Sequence, residues 1–254
     1  MRSIFVIARN TVSDALSRIV LQIILVFGIM FLIIGFFFTF MTPGEEDKML
    51  KDLGISAITV FGLLLAIYMG ISLIQPEVER RTIYALLAKP VRRLEFMLGK
   101  YLGAIAVLAL SVAVMGIVLV GALYVKQAVW SPSLLIGLVG IFFALMIMTA
   151  LVMMLSTFAS SLMATFGGFL FWAIGYSQPF IKQLADHAEN PVSRGLLLVL
   201  HEVLPKFTNL DLRLAVVDGT PIPVQLLAKM AAYGLGYTVV VIAVAGILFN
   251  EREM

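Results

Sequence analysis

Apolar residues fill six long runs, separated by short clusters of charged, proline or small polar residues. A run of about 20 apolar residues crosses ~30 Å of hydrocarbon as a helix. The runs predict membrane spans over residues 19–41, 55–74, 96–125, 134–155, 159–176 and 224–249. The stretch 134–180 carries no charge and is too long for one crossing, so the cluster Ser156, Thr157, Ser160, Ser161 is expected to divide it at a tight turn. Leading from residues 1–18 into the first span, Ile4, Phe5, Ala8, Val12, Ala15, Leu16 and Ile19 fall on one side of a helical wheel. Arg2, Arg9, Asn10, Ser13, Asp14 and Ser17 fall on the other. That is the pattern of an amphipathic helix lying in the membrane interface. Three arginines spread over 1–18, with no small-residue cleavage site behind a short apolar core, argue against a signal peptide.

Composition agrees. With 61% hydrophobic and 13% charged residues, the chain has more apolar surface than a water-soluble domain can cover. The expectation is an all-α membrane protein forming one domain over 1–254. The absence of cysteine removes disulfides, thiolate metal sites and cysteine nucleophiles. A net charge of +3 is small, and its Lys and Arg residues alternate with spans, which fits inner loops facing anionic lipid and not a nucleic-acid surface.

One interruption is strongly basic. Residues 76–100 carry Arg80, Arg81, Lys89, Arg92, Arg93 and Lys100 against Glu77, Glu79 and Glu95, which by the positive-inside bias sets this loop in the cytoplasm. An even number of spans then returns both termini to the cytoplasm. The first outer loop is acidic and the second, 126–133, is short. The third, 177–223, is long and punctuated by Pro179, Pro191, Pro205, Pro221 and Pro223; its stretch 195–204 is too short to span and is expected to form a small external or re-entrant helical piece.

The chemistry that is missing narrows the function. No ionisable residue falls in the middle of a predicted span, and Lys229 can snorkel to the interface. Ion-coupled carriers place such groups at mid-membrane. His201 and Glu202 lack the second histidine of a zinc protease helix, Glu45 and Glu46 have no helpful partner, and Gly99–Lys100 does not complete a phosphate-binding loop. The chain is therefore expected to be no enzyme and to hydrolyse no nucleotide. Small residues at four-residue spacing, Gly99 and Gly103, Ser160, Ala164 and Gly168, and Ala232 and Gly236, suit close helix approach in lipid, either inside one bundle or across a dimer.

Within the basic segment, Pro76 is expected to end the second span. Residues 77–89 then favour a short helix with Glu77 and Arg81 at i, i+4, an apolar side of Ile83, Leu86 and Leu87, and a stop at Pro90, whose fixed φ suits the first turn of the next helix. The stretch EVERRTIYALLAKPVRRLEFMLGKYLG resembles the signature of bacterial ABC transporter permeases of the type-2 exporter class: Glu79, Thr82, Leu86, Leu87, Pro90, Gly99 and Lys100 match, while Arg81 stands where many members have Gly. The amphipathic first helix, six spans and enlarged last outer loop are also that family's architecture. In length and loop design the chain is similar to the permease associated with maturation of nitrous oxide reductase.

The resemblance implies a half-size permease of the bacterial inner membrane, paired with a second copy and with two cytoplasmic ATPase subunits that bind ATP and Mg. No cofactor is implied for this chain. The segment 76–95, with Glu77, Glu79, Arg80, Arg81, Thr82, Leu86, Leu87, Lys89 and Pro90, would be the coupling helix seated on the ATPase, and 177–223 the external gate. Two other readings stay open from the residues alone: a membrane scaffold or assembly subunit without transport, and a membrane-embedded enzyme.

Overall fold

The computed structural model describes residues 2–39, 45–80, 93–126, 132–188 and 190–251. Among them the chain is helical: α1 (Arg2–Ser17), α2 (Ile19–Phe38), α3 (Glu46–Arg80), α4 (Arg93–Val125), α5 (Pro132–Ser156), α6 (Ser161–Tyr176), α7 (Gln178–Asp186), α8 (Pro191–Val203), a 3-10 turn (Phe207–Asn209), α9 (Arg213–Val217) and α10 (Val224–Glu251). Five of these, α2, α3, α4, α5 and α10, are long and apolar enough to cross a membrane. The protein is a multi-pass membrane protein. α6, expected as a further span, is apolar but has 16 residues, about 24 Å of helix against ~30 Å of hydrocarbon.

Burial ranks the helices by position. In α5, 67% of the apolar window is buried, and side chains around its whole circumference, from Leu134 to Met153, face protein. It is the central post, against which α3, α4, α6 and α10 all pack. α2, with 22% buried, is peripheral and turns Phe27, Phe31, Phe37 and Phe38 outward. Lipid solvates such a face as well as protein does, so association rests on close packing. Glycine supplies it: a Cβ on Gly70 of α3 would lie 2.8 Å from Val152 Cβ of α5, and one on Gly116 of α4 would lie 2.7 Å from Leu138 Cδ1.

Several boundaries differ from expectation. α3 begins at Glu46, so much of the acidic outer loop is the first turns of a long helix. Its far end also overruns, because α3 continues through Pro76 to Arg80. A proline costs a helix one N–H and crowds one carbonyl, and just before Pro76 a bond from outside the helix compensates, the Lys100 side chain donating to the Leu73 carbonyl. The turn between α5 and α6 falls at residues 157–160, where the polar cluster was expected to place it. In the third loop the short helix is α8, Pro191–Val203, set earlier than 195–204 because Asn190 caps it: its Oδ1 accepts from the Val192 N–H at 2.9 Å.

Candidate functional site

α3 and α4 have 35 and 33 residues, about 52 and 50 Å of continuous helix, each well beyond a bilayer core. Both lead into the connection 81–92. Of the residues expected to couple to a partner, Glu77, Glu79 and Arg80 form the last turn of α3. Arg81, Thr82, Leu86, Leu87, Lys89 and Pro90 lie outside the described residues.

Just inside that connection the two helices are tied. The Lys100 ammonium of α4 donates to the Leu73 carbonyl of α3 at 2.7 Å and lies 4.8 Å above the Phe96 ring. Pro76 has no N–H to offer the carbonyl of Ser72, which loosens the backbone bonding of that turn, and Lys100 supplies a charged donor one carbonyl along. One turn on, the Tyr101 hydroxyl donates to the Met146 carbonyl of α5 at 3.0 Å in a buried setting. The start of α4 is thus hydrogen-bonded to both α3 and α5.

Gly99 and Gly103 also face a neighbour, and it is α1. A Cβ on Gly99 would lie 2.8 Å from Ile7 Cβ, and one on Gly103 would lie 2.5 Å from Thr11 Cβ and 2.8 Å from the Ala8 carbonyl oxygen. The ridge Ile7, Thr11 and Ala15 repeats every four residues and drops into the groove these glycines leave. The face of α1 that meets α4 is thus not the expected apolar side, with which this ridge shares only Ala15, while Phe5 and Leu16 of that side are exposed. Gly168 of α6 faces Val152 and Ile67, and Ala164 is fully buried. Ser160 is exposed and caps α6, its hydroxyl accepting from the Met163 N–H. Ala232 is exposed and nothing lies within 4 Å of a Cβ built on Gly236, so this pair faces outward.

At the opposite end of α3 and α4, the segment 178–217 is fastened to four helices. Phe207, fully buried, stacks at 4.9 Å on Trp172 and at 6.0 Å on Tyr176 of α6, and it occupies the space that Gly175 leaves open. Leu210 and Val216 press on α5, where Cβ atoms on Gly140 and Gly137 would meet the Leu210 carbonyl and the Val216 side chain. From α10, the Tyr233 hydroxyl accepts from the Lys206 N–H at 2.7 Å, and the Tyr237 hydroxyl donates to the Val203 carbonyl at 3.0 Å. From α3, Asp52 receives a bidentate pair from Arg213, Nε to Oδ1 at 2.5 Å and Nη2 to Oδ2 at 2.7 Å. This bond to Asp52 raises the Arg213 pKa beyond its already high value. Lys206 likewise lowers that of Glu202 by a hydrogen bond at 3.1 Å. A second tie at this end joins Lys126, the residue after α4, to Glu46 of α3 at 2.8 Å.

None of these cap contacts was anticipated from sequence. The charges Asp52 and Arg213 are 161 residues apart, and an acidic loop reads as solvated until a partner is placed beside it. Phe207 carried a weak signal, an aromatic residue inside a polar, proline-rich stretch. The arrangement as a whole is two long rods that run into the 81–92 connection at one end, with α3 held at its other end by a folded cap. Among the described residues no group of three or more His, Asp or Glu is placed to hold a metal ion.

No curated protein matches the chain. The family described as ABC-2 family transporter protein matches residues 37–254, which takes in both rods, the cap and α10. The chain belongs to this family, as the membrane permease component of an ABC transporter.

Proposed function

We propose that the permease is the membrane half of an ABC exporter, in which a separate ATPase drives α3 and α4 against the cap to release substrate on the outer face. The observation that carries this reading is mechanical. α3 is one uninterrupted helix from the 81–92 connection to the cap, and α4 runs beside it as a second, with the two tied near both ends by Lys100 to Leu73 and by Lys126 to Glu46. A helix of that length transmits displacement without a joint, so motion applied at 76–95 reaches Asp52 and hence Arg213. A scaffold has no need of such a link.

In this reading the basic segment 76–95 is the ATPase-docking helix, with Leu86 and Leu87 entering a groove of the partner and Glu77, Glu79, Arg80, Arg81, Thr82, Lys89 and Pro90 around them. Two ATPase subunits bind ATP and Mg, and a second copy of the permease completes the pathway. The sixth crossing is α6, extended by α7 at the cap. Both termini are cytoplasmic, in a bacterial inner membrane.

Replacing Leu86 and Leu87 together with Asp would bury unpaired charge at the contact, a loss of several kcal/mol. The variant should insert normally and lose its ATPase on co-purification; full retention of the ATPase would refute docking through this segment. Orientation is read separately. Single cysteines at Asp186→Cys and Arg194→Cys should react with an impermeant maleimide from outside, and Arg80→Cys and Glu253→Cys should not.

A further inference from the structure

We propose that the cleft between the cap and α10 binds the headgroup of an aminophospholipid, a zwitterion of phosphate and primary amine. The cleft has a volume of about 430 Å³, within the range of small-molecule sites, and is lined by Asn209, Asp211, Leu226, Lys229, Met230 and Tyr233 among others. Two opposite charges face it without closing on each other. Lys229 makes no ion pair or hydrogen bond among the described residues. Asp211 accepts from the Arg213 N–H at 3.0 Å through Oδ1 alone, and the Arg213 guanidinium is committed to Asp52. One carboxylate oxygen and one ammonium are therefore left to the same space. Tyr233 adds a donor, since its oxygen already accepts from Lys206 and its proton is free to point into the cleft. A phosphate suits Lys229 and Tyr233, and an amine suits Asp211.

The position selects a lipid over a soluble zwitterion. Lys229 sits five residues into α10, about 7.5 Å from its start, the depth at which hydrocarbon gives way to headgroups in a helix of this length. Leu226 and Met230 form an apolar wall beside it. Along the same helical face towards mid-membrane come Ala232 and Gly236, the latter beside open space, and then exposed Val239 and Val240. A headgroup held at Lys229 would leave its acyl chains lying on that shallow channel.

Binding is measured without nucleotide or ATPase, so it is independent of the coupling reading. Purified full-length permease, delipidated in detergent, is titrated with dioleoyl phosphatidylethanolamine, dioleoyl phosphatidylglycerol or soluble phosphoethanolamine, and bound adducts are counted by native mass spectrometry. Phosphatidylethanolamine should bind roughly tenfold better than phosphatidylglycerol, whose headgroup lacks the amine and brings a net charge towards Asp211. Lys229→Gln should lower phosphatidylethanolamine binding by a similar factor, and Asp211→Asn, which keeps the acceptor for Arg213, should erase the preference between the lipids. Leu226→Trp should fill the cleft and abolish binding with both charges intact. Equal binding of the two lipids by the unaltered protein, or binding indifferent to Lys229→Gln and Leu226→Trp, overturns the site. Phosphoethanolamine binding as tightly as the lipid would overturn the lipid assignment.

Discussion

The same substitution should act with opposite sign at two glycines of one helix. Gly103 and Gly121 both lie within α4, and replacing either with Ala gains about 1 kcal/mol of intrinsic helix propensity. At Gly121 nothing lies within 4 Å of the added Cβ, so that gain stands alone. At Gly103 the added atom would sit 2.5 Å from Thr11 Cβ and 2.8 Å from the Ala8 carbonyl oxygen, well inside van der Waals contact. Neither obstacle can swing aside, since one is backbone and the other is the branch point of a buried side chain. α1 must therefore move off α4 as a body. Overpacking of this kind costs about 1–3 kcal/mol, and a backbone obstacle argues for the upper end. Net of propensity, Gly103→Ala should destabilise by about 2 kcal/mol while Gly121→Ala stabilises by about 1 kcal/mol. At about 2–4 °C per kcal/mol for a chain of this size, their Tm values in one detergent should differ by roughly 6–12 °C, with the parent between them. Trypsin should also cleave at Arg9 faster in Gly103→Ala alone. Shifts of equal sign and size in the two variants would show that α1 is not seated on these glycines.

At the cap, Asp52→Ala and Arg213→Ala should each speed amide exchange over residues 205–217, with the double variant no worse than either. The side chains are 39% and 44% exposed, so the coupling energy should be about 1 kcal/mol; full additivity would refute the pair. Phe207→Ala should be far more costly, about 3–5 kcal/mol, and an unchanged Tm would show that the aromatic cluster does not hold the cap. Lys100→Met removes a charge-assisted bond worth about 1.5–3 kcal/mol and should lower ATP-driven transport more than ATPase binding, with Lys100→Arg restoring most of it. Equal losses in transport and ATPase binding would instead assign Lys100 to assembly.

Five membrane helices were legible because hydrophobic run length and helical span measure the same thing. The ends were not. A run stops at the first charged cluster, whereas a helix stops where backbone bonding or packing stops, so α3 carries its helix outward through Glu46 and inward past Pro76 to Arg80. The α5–α6 division could be placed at 157–160 because only there does an otherwise uncharged stretch turn polar. Small-residue spacing proved less specific. The same pattern describes Gly99 and Gly103, which receive α1, and Ala232 and Gly236, which face outward, because spacing states that a helix can approach and not which helix does.

That difference bears on how the rods and the cap became one site. The basic cluster and the motif around Pro90 are local, so a proposal for the inner end could be drawn from adjacent residues alone, most of them outside the described residues. The outer end is assembled from Asp52, Gly140, Trp172, Phe207, Arg213 and Tyr233, drawn from six places in the chain, and each alone has an ordinary explanation. Only packing joins them. In the proposed mechanism a displaced α3 would strain Asp52 against Arg213 while Phe207 stays gripped by α6, so the segment would either move whole with α3 or part at its weakest tie. The half-exposed ion pair, at about 1 kcal/mol, is weaker than the buried aromatic cluster, and opening of the cap should therefore begin between α9 and α3.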